Sequence, residues 1–293
     1  MLGAIIGDIA GSRFEWNNHK SKDFELMTYR CSVTDDSVMT LAVAKAIMQS
    51  RQNQTDLAKE ATACMRRYGR RYPDAGYGGK FTRWIHHPYP KPYNSFGNGA
   101  PMRVSPCGFA AATMEEAISM ARAVTAVTHN HPEGIKAAEA VSVAIFKALQ
   151  GESLLEIRDD IEKHYYKIDF TLDSIRDSYT FDVSCQGSVP QAFEAFFEST
   201  GFEDAIRNAV SIGGDSDTIA AMTGGIAEAY YGIPDALRKH ALTYLDASQL
   251  DVLNAFEAEY GIVVEKEGGK DMTRSVHYTP DVKAASQSRQ EIK

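Results

Sequence analysis

The sequence predicts an all-α domain built from roughly ten or more helices. Apolar residues recur at helical spacing along most of the chain, and the alternation of apolar and polar residues that is typical of half-buried strands is nearly absent. The hydrophobic fraction of 44% is ordinary for a globular protein with a real core. A chain of 293 residues is long for one domain but compatible with a single large helical one.

The predicted helices follow one another closely along the chain. Residues 37–49 are Ala-rich, with apolar residues at helical spacing. Similar patterns predict the remaining helices at 57–71, 115–128, 133–149, 157–166, 188–197, 202–212, 218–231, 234–244 and 250–260.

Glycines at helical spacing indicate two close helix contacts. Gly3, Gly7 and Gly11 recur every fourth residue, which gives a smooth helix face for close packing. The pair Gly224-Gly225 lies inside the predicted helix 218–231, where each glycine costs about 1 kcal/mol relative to alanine. Close packing of that helix against a neighbour explains this cost.

Two segments are predicted to lie outside the helical bundle. Residues 72–99 are rich in Pro, Gly and Tyr residues, and a loop this long in a compact helical domain is usually functional. Residues 265–293 are polar, with few apolar side chains, and are predicted to form a flexible tail. Residues 1–264 are therefore expected to form a single domain.

Composition excludes several classes of function. A net charge of -8 argues against sequence-independent nucleic-acid binding, although bound cations would reverse the local charge at a nucleotide site. No apolar run approaches membrane-spanning length. The four cysteines are scattered without a CxxC pair, and the first residues lack a basic leader. The expectation is a cytoplasmic protein with reduced thiols and no membrane partner.

Two acidic clusters carry the strongest chemical signal. Thr34-Asp35-Asp36 and Asp215-Ser216-Asp217-Thr218 each stand where a loop meets a helical run. Carboxylates and hydroxyls are the ligands that hard divalent cations such as Mg²⁺ and Mn²⁺ prefer. If the fold brings the clusters together, four carboxylates crowd one spot at high cost unless cations neutralise them. The sequence thus predicts a two-metal site.

A simpler interpretation of each cluster is helix capping. Asp, Ser and Thr are favoured N-cap residues, and helix N-termini stabilise anions even without a metal. One cap needs only one side chain, however, so adjacent carboxylates exceed that requirement.

Glu15 follows the first predicted helix near an expected pocket mouth, and the simpler interpretation of this residue is a solvated surface acid.

Two loop motifs are candidates for ligand binding. Gly97-Asn98-Gly99 resembles a phosphate-binding glycine loop but lacks the third glycine of GxGxxG, so a Rossmann fold is not supported. Its backbone N–H groups could still bind a phosphate or a ribose. His129 and His131 alternate and do not form an HExxH pair; Asn130 or His131 is expected to start a helix with Pro132 near its first position.

Taken together, five motifs resemble the ADP-ribosylglycohydrolase family, which includes dinitrogenase-reductase-activating glycohydrolase and the ADP-ribosyl-acceptor hydrolases. These motifs occur along the chain in the same order as in the family. They are GAIIGDIAGSRFE (3–15), TDDS (34–37), GNGAPMRVSP (97–106), THNHPEG (128–134) and GGDSDTIAAMTGGIAEAYYG (213–232). The resemblance implies an all-α orthogonal multi-helix bundle, in which residues 1–264 form the catalytic domain.

The resemblance also implies a set of site residues. Two Mg²⁺ or Mn²⁺ ions are expected to bind Thr34, Asp35, Asp36, Asp215, Asp217 and Thr218. The substrate is expected to contact Gly97, Asn98, Gly99 and His129. Glu15 matches an acid implicated in catalysis or in gating, and Glu15, Asp36 and Asp217 are the catalytic candidates. Substrate choice depends on the region before GNGA, where Asp74 is a candidate acid.

The implied activity is metal-dependent hydrolysis of a glycosidic bond, which releases ADP-ribose from a modified protein or small molecule. Two alternatives stay open. One is a non-catalytic ADP-ribose-binding or structural protein with the same fold. The other is a dinuclear phosphoesterase, because two metals also suit phosphoryl transfer. The product separates them: intact ADP-ribose indicates glycosidic cleavage, and AMP indicates pyrophosphate cleavage.

Overall fold

The computed structural model describes residues 1–261, and the backbone alone of residues 263–267 and 270–275. Within these residues the chain forms fourteen α-helices, one short 3₁₀ helix and one β-hairpin, which confirms the predicted all-α class. The helices are α1 (Leu2–Ser12), α2 (Asp35–Asn53), α3 (Leu57–Arg71), α4 (Gly79–His86), the 3₁₀ helix (Pro101–Arg103), α5 (Ser105–Ala110), α6 (Met114–Ala126), α7 (Pro132–Leu149), α8 (Leu154–His164), α9 (Leu172–Ile175), α10 (Cys185–Phe197), α11 (Phe202–Ser211), α12 (Ser216–Tyr231), α13 (Asp235–Leu242) and α14 (Ala247–Tyr260).

Each helix predicted from periodicity is present, but the predicted loop 72–99 is partly wrong. It contains α4, which buries Phe81, Trp84 and Ile85 on one face. The surrounding Gly and Pro residues hide this short amphipathic helix from a search for longer patterns. Sequence periodicity also missed α5 and α9, which span only one or two turns.

A short hairpin follows the last helix. Strands β1 (Val263–Glu267) and β2 (Lys270–Ser275) pair antiparallel, with Val263 opposite Ser275. The sequence did not indicate these strands, which overlap the beginning of the predicted tail 265–293. Residues 276–293 of that tail lie outside the described residues.

The buried pair α1 and α12 lies at the centre of the bundle, and the predicted glycine face joins the two helices. A Cβ atom on Gly3 would lie 2.2 Å from the carbonyl oxygen of Gly224, and one on Gly7 would lie 1.9 Å from that of Ala220. Neither position has room for a side chain, so the backbones approach closely. The backbone N–H of Gly3 also donates to Glu228 Oε2 on α12 at 2.7 Å. At the other end of the pair, a Cβ atom on Gly11 would lie 2.5 Å from the Asp217 nitrogen, so the end of α1 meets the start of α12.

The hydrophobic core surrounds this pair. Leu2, Ile5, Ile6 and Ile9 of α1 are completely buried, as are Ile219, Ala220, Ile226 and Ala227 of α12. In the described part of the chain, no helix combines the length and the apolar character needed to cross a bilayer.

Candidate active site

A turn made of two glycines delivers the second acidic cluster to the start of α12. Gly213 and Gly214 have φ angles of 70° and 76°, a left-handed conformation that other residues rarely adopt. Asn18 fixes this turn: its Oδ1 accepts from the Gly214 N–H at 2.7 Å, and its Nδ2 donates to the Gly214 oxygen at 3.2 Å. Asp215 and Asp217 are thereby held at a helix N-terminus, where negative charge is favoured.

A carboxylate on α1 positions the first cluster. Asp8 is completely buried and accepts from the backbone N–H groups of Thr34 at 3.0 Å and of Ser37 at 3.1 Å. The Thr34 hydroxyl donates to Asp8 Oδ1 at 2.6 Å, and the Ser37 hydroxyl also donates to Asp8. Asp8 therefore caps α2 from another helix and sets the orientation of Asp35 and Asp36.

The two clusters meet. The Thr218 hydroxyl donates to Asp36 Oδ2 at 3.1 Å across a separation of 182 residues in sequence. Carboxylate oxygens that could bind a metal ion converge in two groups. In each group the oxygens lie within 4.8 Å of one another: one group is Asp8, Asp36 and Asp217, and the other is Glu15, Asp215 and Asp217. Each of the two groups could hold a metal ion, and the Asp217 carboxylate is common to both.

The raised pKa values of these carboxyl groups show that their negative charges are costly in this crowded, buried position. Burial, followed by repulsion from Asp8 and then Asp35, raises the pKa of Asp36 well above its usual value. Burial and the charge of Asp8 raise the pKa of Asp35 to about 8. Burial and the charge of Asp215 raise the pKa of Glu15 to about 7. The cluster therefore has to retain protons or bind cations.

The residues present fit a hard divalent cation. Asp36 Oδ1 is buried and has no hydrogen-bond partner among the described residues, although buried carboxylate oxygens normally have one. Every candidate ligand atom is an oxygen. Neither N-cap residue, Thr34 of α2 nor Asp215 of α12, makes a side-chain capping bond to its own helix, although Asp217 Oδ1 accepts from the Thr218 N–H at 3.0 Å. The buried acidic groups could accordingly bind a metal.

Two of the predicted ligands occupy different positions from the rest. Asp35 lines the cavity but stands outside both groups of converging oxygens, and its backbone N–H donates to the Ala75 oxygen at 2.7 Å. Thr34 is not among the lining residues, because its hydroxyl is turned toward Asp8 and Asp36. The other four predicted ligands all line the cavity: Asp36, Asp215, Asp217 and Thr218.

The cavity measures about 390 Å³, and the predicted substrate residues line its wall. Asn98 Nδ2 donates to Asp215 Oδ2 at 2.7 Å, which connects the glycine loop to the acidic cluster. A Cβ atom on Gly99 would lie 3.4 Å from His129 Nε2, so this glycine keeps the space beside the imidazole open. The Asn98 N–H already donates to the Val183 oxygen at 2.8 Å and is not available to a phosphate.

The two histidines have different surroundings. His129 is buried, and burial together with the charge of Arg103 lowers its pKa well below the usual value, so the ring is neutral. Its Nδ1 lies 2.8 Å from the Thr128 hydroxyl. His131 is the N-cap of α7 and accepts from the Glu133 N–H at 3.1 Å, with Pro132 at the first helical position, as the sequence indicated.

Sequence reasoning assigned no role to Asp8 and Arg103. A charged residue inside the apolar stretch of α1 was the available signal for Asp8, because such residues are rarely buried without partners. Arg103 lines the cavity and is also fully buried; it donates to the Thr128 hydroxyl at 2.6 Å, while its Nε has no partner among the described residues. Asp74 lies instead at a separate surface cavity, beside Arg71 and Asp246.

An aromatic pair stands at the cavity mouth. The rings of Trp16 and Phe181 stack with centroids 5.0 Å apart, and both residues line the cavity. Trp16 is 79% exposed although it directly follows Glu15. Glu15 itself is half-buried and lines the cavity, so it is not a fully solvated surface acid.

A helical bundle with a concave pocket and converging buried carboxylates defines a class of candidate metal-assisted hydrolases. Comparison with known proteins narrows this class. Residues 1–264 match the sequence model of the ADP-ribosylglycohydrolase family. The chain therefore belongs to the ADP-ribosylglycohydrolase family, and its enzyme class is that of hydrolases acting on glycosidic bonds.

Several curated proteins are similar over most of their length. ADP-ribosylhydrolase ARH3 of Xenopus tropicalis is 27% identical over 324 residues, covering 84% of this chain and 91% of that protein. The human ADP-ribosylhydrolase ARH3 is 28% identical, covering 80% and 84%. ADP-ribosyl-[dinitrogen reductase] glycohydrolase of Rhodospirillum rubrum is 26% identical over 217 residues, covering 69% and 70%.

The fold is also similar to that of a solved structure, described as an ADP-ribosylglycohydrolase-related protein complex. The TM-score is 0.66 at 23% sequence identity, and the match covers 88% of this chain and 94% of the other. This similarity agrees with the fold that the resemblance implied.

Proposed function

We propose that this protein hydrolyses the glycosidic bond of ADP-ribosyl groups and releases ADP-ribose from a modified protein or small molecule, with two Mg²⁺ or Mn²⁺ ions. The observation that carries the proposal is the convergence of two carboxylate groups on the shared residue Asp217, which lines the cavity. The names of the ARH3 and dinitrogen-reductase relatives support the substrate class.

The cations would be held mainly by Asp36, Asp215, Asp217 and Thr218, the predicted ligands that line the cavity, with Asp8 beside them. Thr34 and Asp35 stay predicted ligands that stand outside the two groups of converging oxygens. Cations bound there supply charge neutralisation, orientation of ribose hydroxyls and a lower pKa for water. Asp8 contributes twice in this arrangement. It caps α2, and its oxygens lie within reach of those of Asp36 and Asp217.

The chain's own residues provide the rest of the chemistry. Cleavage at the anomeric carbon builds positive charge on the ribose, and the carboxylates of Asp36 and Asp217 place negative charge beside it. Glu15 lies next to Asp215 at the cavity wall, where it can accept the proton of the attacking water. The same group would then return the proton to the leaving acceptor.

Binding of the diphosphate is supported by a buried cation. Arg103 lines the cavity with an unpartnered Nε, and its side chain forms no salt bridge with a described carboxylate. Burial lowers the pKa of Arg103 only to about 10, so the guanidinium stays charged at neutral pH. A buried, unpaired cation is costly, and an anionic ligand offsets that cost. The neutral ring of His129 and the amide of Asn98 offer further polar contacts.

Mass-spectrometric product analysis tests this proposal. The purified protein is incubated with a panel of ADP-ribosylated substrates, with Mg²⁺, Mn²⁺ or a chelator. We expect intact ADP-ribose, dependence on metal, and loss of turnover in Asp217→Ala with the helical circular dichroism signal retained. Release of AMP would instead indicate a phosphoesterase, and tight binding of ADP-ribose without turnover of any substrate would indicate a binding module.

A further inference from the structure

The side chain of Asn18 joins the segment that carries Glu15 to the turn that carries Asp215. Asn18 Nδ2 donates to the backbone oxygen of Glu15 at 3.1 Å and to that of Gly214 at 3.2 Å. It also donates to the Phe14 oxygen at 3.3 Å, and Asn18 Oδ1 accepts from the Gly214 N–H at 2.7 Å. A single amide group therefore connects two stretches of backbone that are 196 residues apart in sequence.

The hydrogen bonds determine which way this amide faces. Its nitrogen only donates and its oxygen only accepts, so a reversed amide would set oxygen against carbonyl oxygens and nitrogen against an N–H group. Neither a carboxylate nor an apolar side chain at this position offers both kinds of contact. Asparagine is therefore matched to the two segments that it joins.

Close packing restricts the turn on both sides. A Cβ atom on Gly213 would lie 2.6 Å from Asn18 Oδ1, and one on Gly214 would lie 2.3 Å from the Tyr179 ring. Lys20 Nζ, two residues beyond Asn18, donates to the backbone oxygen of Tyr179 at 2.6 Å. The segment that follows Glu15 thus fixes both the turn and the aromatic residue packed against it.

The two groups of converging carboxylates depend on Asn18 to different extents. The first group is anchored by Asp8, which accepts from two backbone N–H groups at the start of α2, and no hydrogen bond within residues 1–261 joins Asn18 to it. In the second group, Glu15 and Asp215 stand on opposite sides of the Asn18 bridge. Asn18 does not line the cavity, so its effect on the second group has to pass through the backbone.

We infer that Asn18 is a positioning residue for the second group, Glu15, Asp215 and Asp217. By fixing the backbone of Glu15 relative to the turn before Asp215, it keeps these carboxylates converged on one cation site and keeps Glu15 at the cavity wall. The inference rests on the proposed function for the role of Glu15 as the proton acceptor. Residues that orient metal ligands from outside the site typically change metal affinity or activity by about 10–100-fold when they are replaced.

The test compares Asn18→Ala with the matched control Asn17→Ala. Asn17 is exposed, as Asn18 is, but its side chain forms no hydrogen bond within residues 1–261. Calorimetric titration of the metal-free proteins with Mn²⁺ measures the cation sites. We expect two sites in the parent protein and in the control. In Asn18→Ala, one site should keep its affinity and the other should weaken about tenfold or more.

Thermal melting of the metal-free proteins, followed by circular dichroism, detects a merely structural role. Because the Asn18 side chain is exposed and water can replace its hydrogen bonds, both variants should melt as the parent does. A lower melting temperature in Asn18→Ala, with both cation sites weakened equally, would assign this residue to the fold and overturn the inference. Two sites of parental affinity in Asn18→Ala would overturn it as well.

A double-mutant cycle with Glu15→Gln tests whether Asn18 acts through Glu15. At saturating Mn²⁺, Asn18→Ala should lower kcat about tenfold with little change in KM. In the Glu15→Gln background the same substitution should cost much less, because the group that it positions has already lost its function. Equal losses of kcat in the two backgrounds would contradict the inference.

These measurements also separate the inference from the proposed function. A parent protein that binds fewer than two Mn²⁺ ions would overturn the inference whatever its activity, because there would be no second site to position. A parent protein that binds two Mn²⁺ ions but hydrolyses no ADP-ribosyl substrate would contradict the proposed function. In that case the calorimetric comparison of Asn18→Ala with Asn17→Ala would still decide the role of Asn18.

Discussion

A Cβ atom on Gly11 would lie 2.4 Å from the Cα atom of Asp217, so the end of α1 and the start of α12 are in backbone contact at the acidic cluster. This contact explains how residues from opposite ends of the chain share one site. The glycine face of α1 determines the distance between Asp8 and Asp217, and thereby the space available for cations.

The first prediction concerns that contact. Gly11→Ala should destabilise the protein by about 1–3 kcal/mol, because the added methyl group forces the two backbones apart. Metal-dependent turnover should fall as well, since Asp217 has to move. Urea denaturation and a turnover assay measure the two effects.

Gly201→Ala is the matched control, because a Cβ there meets no atom within 4 Å and the extended backbone suits alanine. Wild-type stability in Gly11→Ala would show that α1 and α12 do not approach as closely as described.

The second prediction separates stability from function at Asp217. Replacing this carboxylate by the isosteric amide in Asp217→Asn removes repulsion from Asp36 and Asp215. The metal-free protein should become more stable by about 1 kcal/mol, or roughly 2–4 °C in Tm. Turnover and the metal-induced rise in Tm should both be lost. Calorimetric melting with and without Mn²⁺ measures this, and a metal response equal to that of the parent would contradict the assignment of Asp217 as a ligand.

The third prediction is a pH dependence of the metal-free protein. The pKa of Asp35 is raised from its usual value of 3.8 to about 8, mainly by burial. Between these values the folded state keeps a proton that the unfolded chain has lost, so the free energy of unfolding should fall as the pH rises from about 4 to about 8. Divalent cations displace these protons, so their stabilising effect should grow over the same range.

Melting curves of the chelated protein at several pH values test this prediction. The Asp217→Asn variant should show a shallower decline, since it has one fewer carboxylate in the cluster. A metal-free protein whose stability does not change with pH, or increases toward pH 8, would show that the cluster is not crowded.

The sequence predicted the bundle because helical periodicity is a local property. It also identified both acidic clusters, and the family resemblance joined them into one site. It assigned no role to Asp8, because capping of α2 by a carboxylate 26 residues earlier depends on tertiary packing. Arg103 was missed for the same reason, since its burial depends on the surrounding helices. The predicted loop 72–99 concealed α4, and with it Lys80 and Phe81, which line the candidate active site.

The fourth prediction addresses Glu15. Glu15→Gln retains the size of the side chain but cannot accept a proton, so kcat should fall about 100-fold or more while KM changes little. Glu25→Gln, at an exposed position nearby in sequence, is the control. Steady-state kinetics distinguish the two roles of Glu15: a rise in KM with an unchanged kcat would assign Glu15 to gating or binding, and would contradict its role as the proton acceptor.

The central claim is that the two acidic clusters hold a pair of cations. The most direct measurement is anomalous diffraction from crystals grown with Mn²⁺. We predict two peaks in the acidic cavity, one near Asp8 and Asp36 and one near Glu15 and Asp215, with Asp217 contacting both. Crystals saturated with Mn²⁺ that show no peak among these carboxylates would contradict the account.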